Sequence, residues 1–128
     1  MTVGSATYIN DEDTDTYYQG WSISDNYSML DIEIELDDTY RIGQITALRS
    51  LDGNSISKTE AWMYVYYDND WHQVDYEAPG EVNAPGTEHT ATGDWSGVSK
   101  IRWKGQVNTA SGQSSEVRLY QLYVYPID

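Results

Sequence analysis

The chain has 128 residues, enough for one domain and too few for two of ordinary size. It contains no cysteine, which excludes disulfides, thiolate metal sites and cysteine nucleophiles and leaves the redox compartment open. Its 21 acidic residues outnumber 7 basic ones for a formal charge of −14, a field that repels phosphate backbones and anionic headgroups, so nucleic acid and membrane are poor partners.

The residues after Met1, Thr2-Val3-Gly4-Ser5, carry neither a basic stretch nor an apolar run, so no signal peptide, transmembrane helix or other membrane insertion is expected in this chain. A short first strand is expected at 3–8. It is followed by Asp11-Glu12-Asp13-Thr14-Asp15-Thr16-Tyr17-Tyr18, where carboxylates and a hydroxyl recur at a spacing that can wrap one hard cation such as Ca²⁺. This is no EF-hand, because Thr16 stands where that loop needs Gly and Ser22 where it needs a bidentate Glu. An acidic solvated loop is the competing reading.

No window places apolar residues at helical spacing for three turns, whereas several alternate with period two and are rich in β-branched and aromatic residues. The chain therefore reads as all-β. Residues 30–36 put Ile32, Ile34 and Leu36 on a core face and Asp31, Glu33 and Glu35 on a wet one. Further strands are expected at 44–49, 60–67, 71–76, 99–104 and 117–125. Asp68-Asn69-Asp70 predicts a tight hairpin, and Asp52-Gly53-Asn54 and Lys104-Gly105 predict other reversals. Residues 78–97, rich in Pro and Gly, predict the longest irregular connection. Aromatic content comes from 5 Trp and 12 Tyr with no Phe, so nearly every ring carries a polar handle suited to half-buried sheet faces and binding surfaces. Strands at this spacing predict one antiparallel β-sandwich or barrel domain over 1–128.

Six pieces of the chain follow a known order. Ile9-Asn10-Asp11-Glu12-Asp13-Thr14-Asp15-Thr16-Tyr17-Tyr18 keeps both Asp and the Thr of A-x-D-G-D-x-x-T-x-W, with Tyr18 in place of Trp. Ile34-Glu35-Leu36-Asp37 matches a strand ending in D-L-G, and Arg41-Ile42-Gly43-Gln44-Ile45 stands for its I-x-x-I segment. Met63 to Trp71 matches the hairpin Y-x-V-x-Y-S-x-D-G-x-x-W; Val98-Ser99-Lys100-Ile101-Arg102-Trp103 matches the penultimate strand, and Leu119 to Tyr125 the closing L-x-E-I-x-V-Y. In this order they resemble the discoidin, or coagulation-factor C-terminal, type of carbohydrate-binding module, a galactose-binding-like jelly-roll β-sandwich, over most of the chain.

The resemblance implies a calcium ion held by Asp11, Asp13, Thr16 and Gln121, the last standing where the family has Glu and so bringing an amide oxygen without charge. It also implies glycan binding by loops at one end of the sandwich. Strand order assigns that end to residues 49–57 and 104–115, whose Arg49, Asp52, Asn54, Lys104, Gln106 and Asn108 are the groups able to grip ring hydroxyls. Neither loop offers a stacking ring beyond Trp103; Trp21 and Trp95 lie in other connections.

No pair of carboxylates is privileged, His72 and His89 have no second His at metal-ligand spacing, and Gly112-Gln113-Ser114-Ser115 is not a nucleophile elbow. The expectation is a non-catalytic recognition or adhesion module for a glycan or protein surface, acting at an extracellular surface or on a virion. The alternative is an assembly protein, a virion decoration or tail component or filament subunit, that forms homo-oligomers through exposed aromatics such as Tyr120 or Tyr123.

Overall fold

The computed structural model describes residues 18–24 as backbone, and 27–83 and 86–127 with side chains. The expected strand at 3–8 and the Asp11 loop lie outside these residues. Six strands follow in chain order: β1 (Tyr18–Ser24), β2 (Tyr27–Gly53), β3 (Ile56–Tyr67), β4 (Asp70–Glu77), β5 (Glu88–Thr109) and β6 (Ser115–Pro126). They hydrogen-bond in the order β1-β6-β2-β5-β3-β4, with β1 also touching β2, and every pairing is antiparallel.

Two long strands turn this sheet into a sandwich. The first part of β2 pairs with the end of β5 (Leu30↔Gly105, Ile34↔Ile101), and its last part pairs with the start of β5 (Ile45↔Ala91, Ala47↔His89). Between them the register shifts three times, from Glu35 to Gln44. Bulges of this kind bend a strand and let it cross from one layer to the other. The strands expected at 30–36 and 44–49 are thus the two arms of one bent strand. One layer holds the first arm of β2, the end of β5, β3 and β4; the other holds the second arm of β2, the start of β5, β6 and β1.

The core lies between the layers and follows the alternation. Ile34 on β2, Ala61, Met63 and Val65 on β3, and Ile101, Trp103 and Val107 on β5 are buried, and Ile45, Ala47, Leu51, Val117, Leu119 and Leu122 close it from the other side. Asp31, Glu33 and Glu35 face water, as their period-two spacing requires. The β3–β4 hairpin turns through Asp68 (φ 52°) and Asn69 (φ 61°), both left-handed, the geometry that lets a two-residue turn match strand twist.

Three sequence expectations are corrected. Lys104-Gly105 is no reversal, because β5 continues to Thr109. A Cβ on Gly105 would stand 2.4 Å from the Trp103 ring and 3.0 Å from Val117, so this glycine makes room for an indole. The irregular connection ends at residue 87, and 88–97 belong to β5, where Thr90 pairs with Thr46. Tyr120 is only 3% exposed, since the register shifts between Leu48↔Gln121 and Arg49↔Leu119 and makes Tyr120 the extra residue of a bulge.

Candidate ligand site

The β2–β3 and β5–β6 turns meet at one end of the sandwich. Asp52 and Gly53 lie opposite Glu116 and Ser115 in the ladder. Asn54 reinforces the junction, its backbone N–H donating to the Ser114 carbonyl at 2.9 Å and its Nδ2 to Ser114 Oγ at 3.1 Å. The Ala110 N–H reaches the Ser55 carbonyl at 3.0 Å, and Ser28 Oγ donates to the Ser115 carbonyl at 3.1 Å. Gly53 permits this approach, because a Cβ there would stand 2.9 Å from the Ser114 carbonyl oxygen. Asp52, Gly53, Asn54, Ser114, Ser115 and Glu116 enclose an open depression of about 210 Å³.

A strap formed by residues 78–83 crosses beside it. Val82 exchanges two backbone hydrogen bonds with Leu51, both 2.8 Å. With its amide nitrogen facing the carboxylate, Asn83 donates to Asp52 Oδ1 at 2.8 Å. Hydrogen bonding to the neighbouring Asp52 carboxylate, followed by desolvation and the Asp52 charge, holds the Glu81 carboxyl above the ordinary carboxylate range. Glu116 is gripped by Arg118, whose Nε lies 2.5 Å from Oε1 and whose guanidinium donates to Oε2 at 3.0 Å.

The residues expected here divide three ways. Asp52 and Asn54 line the depression. Arg49 does not: it alternates with Ala47 and Leu51 on the inward face of β2 and is 1% exposed. Lys104, Gln106 and Asn108 belong to β5 and project from the open face of its layer, where Lys104 lies 5.0 Å from the Trp62 ring centroid and Gln106 donates to Asn108 at 2.8 Å. Sequence reasoning passed over Ser114, Ser115 and Glu116. The first two sat inside the expected loop without a distinguishing pattern, and Glu116 enters only through its register with Asp52. No aromatic ring lines the depression among the described residues. Trp103 is buried and Trp95 packs against the core.

Of the cation ligands implied by the resemblance, Asp11, Asp13 and Thr16 lie outside the described residues. Gln121 is buried on β6. A different acidic group forms where β4 meets the second layer. Asp75, Glu77 and His89 place ligand atoms within 4.8 Å of one another. Arg49 adjoins this group, paired with Glu77 and donating to Thr87 Oγ1 at 3.2 Å. Burial pushes its guanidinium down to about 10. The Trp103 indole N–H lies 3.1 Å from His89 Nδ1, which must accept, so the ring proton sits on Nε2 and is donated to Asp75 Oδ2 at 2.7 Å. Burial also lowers the His89 pKa, against an opposing pull from Asp75. Both ring nitrogens are thus committed to the protein, and the imidazole has no position left from which to act on a substrate.

No protein-family model matches the chain, and no curated protein matches it in sequence. Solved structures do match. CBM32-3 from a family 31 glycoside hydrolase of Clostridium perfringens superposes with a TM-score of 0.62 at 18% identity, covering 94% of this chain and 81% of that one. CpGH89CBM32-6 from Clostridium perfringens gives 0.59 at 17% identity, covering 98% and 90%. CpGH89CBM32-5 from the same organism, solved in complex with GalNAc-β-1,3-galactose, gives 0.57 at 17%, covering 94% and 82%. The chain has the galactose-binding-like jelly-roll fold of the discoidin-type carbohydrate-binding modules.

Proposed function

We propose that the chain is a non-catalytic recognition module that binds a glycan in the depression between the β2–β3 and β5–β6 turns. One observation carries the reading: two turns far apart in sequence are hydrogen-bonded together so that Asp52, Asn54, Ser114, Ser115 and Glu116 surround a concave site. Such a set of carboxylate, amide and hydroxyl groups matches the hydrogen-bonding edge of a sugar ring. The fold agrees, since CpGH89CBM32-5 carries a disaccharide on the same jelly roll. The non-catalytic part rests on the His89 cluster, whose imidazole is wholly engaged inside the protein.

The same proposal includes a structural calcium ion held by the carboxylates of Asp11 and Asp13, the hydroxyl of Thr16 and the amide oxygen of Gln121. It is supported by the place of Gln121: β1 starts at Tyr18 opposite Leu119, and Gln121 lies two positions further along β6, on the side from which the chain enters β1.

A glycan array followed by titration of any hit tests the site. Binding is expected to weaken about ten-fold or more in Asp52→Ala or Asn54→Ala, each of which removes hydrogen bonds to the ligand. Affinity unchanged in both variants removes the depression as the site. Silence across the array removes glycan recognition.

A further inference from the structure

Resting on the glycan reading, we infer that Asn83, on the strap, is a positioning residue for this site: its side-chain amide locks the Asp52 carboxylate in the orientation that meets a sugar, although Asn83 itself does not line the depression.

Asp52 stands at the end of β2, where a carboxylate turns about a broad terminal torsion unless something holds it. Two donors hold it here. The Gly53 N–H reaches Oδ1 at 2.8 Å, and the Asn83 amide nitrogen spans both oxygens, 2.8 Å from Oδ1 and 3.2 Å from Oδ2. The first donor belongs to the next residue and restrains one oxygen. The second comes from a separate part of the chain and restrains the plane of the group. Both favour Oδ1, which leaves Oδ2 the greater acceptor capacity for a sugar hydroxyl. The exposed Glu81 competes for Asp52 only while protonated, because an ionised carboxylate has no hydrogen to give.

The strap is anchored without this contact. Besides the two backbone bonds between Val82 and Leu51, the Val82 carbonyl accepts from Ser50 Oγ at 3.1 Å, the Val82 side chain is buried in the core, and the Gly80 N–H donates to Thr59 Oγ1 at 2.7 Å. Asn83 follows directly and is exposed. A backbone fixed one residue earlier presents the amide at a set place, so the Asn83 side chain gives orientation to Asp52 and little stability to the fold. Glu116, the other carboxylate lining the depression, has a holder of its own in Arg118, so both acidic groups of the site are braced from outside it. The gain for binding is entropic, because a side chain that is already ordered does not have to be immobilised when the ligand arrives.

The test is NMR of the intact chain, native and carrying Asn83→Ala or Asn83→Asp. Three-bond Hα–Hβ couplings report the Asp52 rotamer without any ligand: a single rotamer is expected in the native chain and averaged couplings in both variants. Titration with galactose, N-acetylgalactosamine and GalNAc-β-1,3-galactose is read from the amide shifts of Asp52, Asn54 and Ser114. Binding is expected to weaken about three- to ten-fold in Asn83→Ala, the scale of one side chain left to be ordered. It should weaken further in Asn83→Asp, which removes the donor and sets a second negative charge against Asp52. The melting temperature should stay within about two degrees of the native value, as for other exposed substitutions. Couplings that do not change in either variant, an affinity that survives once they average, or an affinity that falls only in step with the melting temperature overturns the positioning role while leaving glycan recognition in place. No shift of the native chain with any of these sugars overturns the glycan reading itself, and this inference with it, whatever the couplings show.

Discussion

Gly105 and His89 sit on opposite sides of the same indole, and each shows how a single residue is fixed by its neighbour. The Trp103 ring covers the Gly105 Cα, and its N–H is held by His89. Gly105→Ala drives a methyl group into a ring 2.4 Å away and to 3.0 Å from Val117. Overpacking of this kind costs about 1–3 kcal/mol, and chemical denaturation should show a loss of that size. His89 makes a separate prediction about pH. It faces Asp75 and Glu77 from β4, Arg49 from β2 and the Trp103 N–H from its own strand. Its folded pKa is lowered, chiefly by burial, so below the ordinary histidine value of 6.5 the unfolded chain takes up a proton that the folded chain still refuses. Stability from this group is therefore complete above that pH and falls as the pH drops through the window beneath it. His89→Asn, whose amide can donate to Asp75 and accept from Trp103, should give a shallower decline over that window in denaturant midpoints measured across pH. Parallel curves for the two proteins would show that His89 does not set the slope. None of this was legible from the sequence, where Gly105 looks like a turn and His89 like a loop residue. The reason is that both depend on the position of one ring.

At the scale of elements, the outer face of the β3–β5 pair is a ladder of aromatic and cationic side chains. Lys100 lies 4.8 Å from the Tyr66 centroid, Arg102 5.4 Å from Tyr64 and Lys104 5.0 Å from Trp62, each directly across the ladder. On the far side Trp62 meets Tyr76 at 5.7 Å and Tyr66 meets Trp71 at 5.2 Å, which extends the same contacts to the edge strand β4. The ring faces are turned towards neighbouring side chains, so the ladder acts as cross-strand support for the sheet. Lys104→Ala should cost about 0.5–1 kcal/mol of stability, the worth of an exposed cation–π pair, with the expected glycan affinity intact because Lys104 is on another face. An unchanged midpoint in urea would remove the ladder as a source of stability. This face also explains which parts of the architecture could be read in advance. The alternation at 30–36, 60–67 and 99–104 exposes period two directly, and Asp68-Asn69 announces its turn because those residue types tolerate a left-handed backbone. The bend in β2 and the bulge at Tyr120 have no local signature. They arise because two layers must share long strands, and this moves Tyr120 inwards and leaves Lys104, Gln106 and Asn108 within a strand although they had the look of a loop.

Across the whole molecule, the layers meet around a single core, while the formal charge of −14 is spread over a surface that carries few cations. Folding brings many carboxylates together, and any bound cation offsets part of that repulsion. The jelly roll and the meeting of the two turns follow from strand order, which is why the sequence already places Asp52 and Asn54 at the end where the β5–β6 turn lies. Arg49 was misplaced because strand parity, and not loop position, sets the direction of its side chain. The calcium proposal belongs to this scale, because an ion held by Asp11, Asp13 and Thr16 together with Gln121 ties the chain before β1 to β6, the strand that pairs with both β1 and β2. A ligand that binds only the folded state stabilises it by mass action, by about 2.7 kcal/mol at a concentration one hundred times its Kd. Chelator should therefore lower the melting temperature of the native chain by several degrees, and excess Ca²⁺ should restore it. In Asp11→Ala the curves with chelator and with Ca²⁺ should coincide, whereas Asp52→Ala, at the proposed glycan site, should keep the full difference. If Ca²⁺ leaves the native melting curve unmoved, the ion is no part of this fold; if the shift survives in Asp11→Ala but is lost in Asp52→Ala, the cation binds at the depression instead.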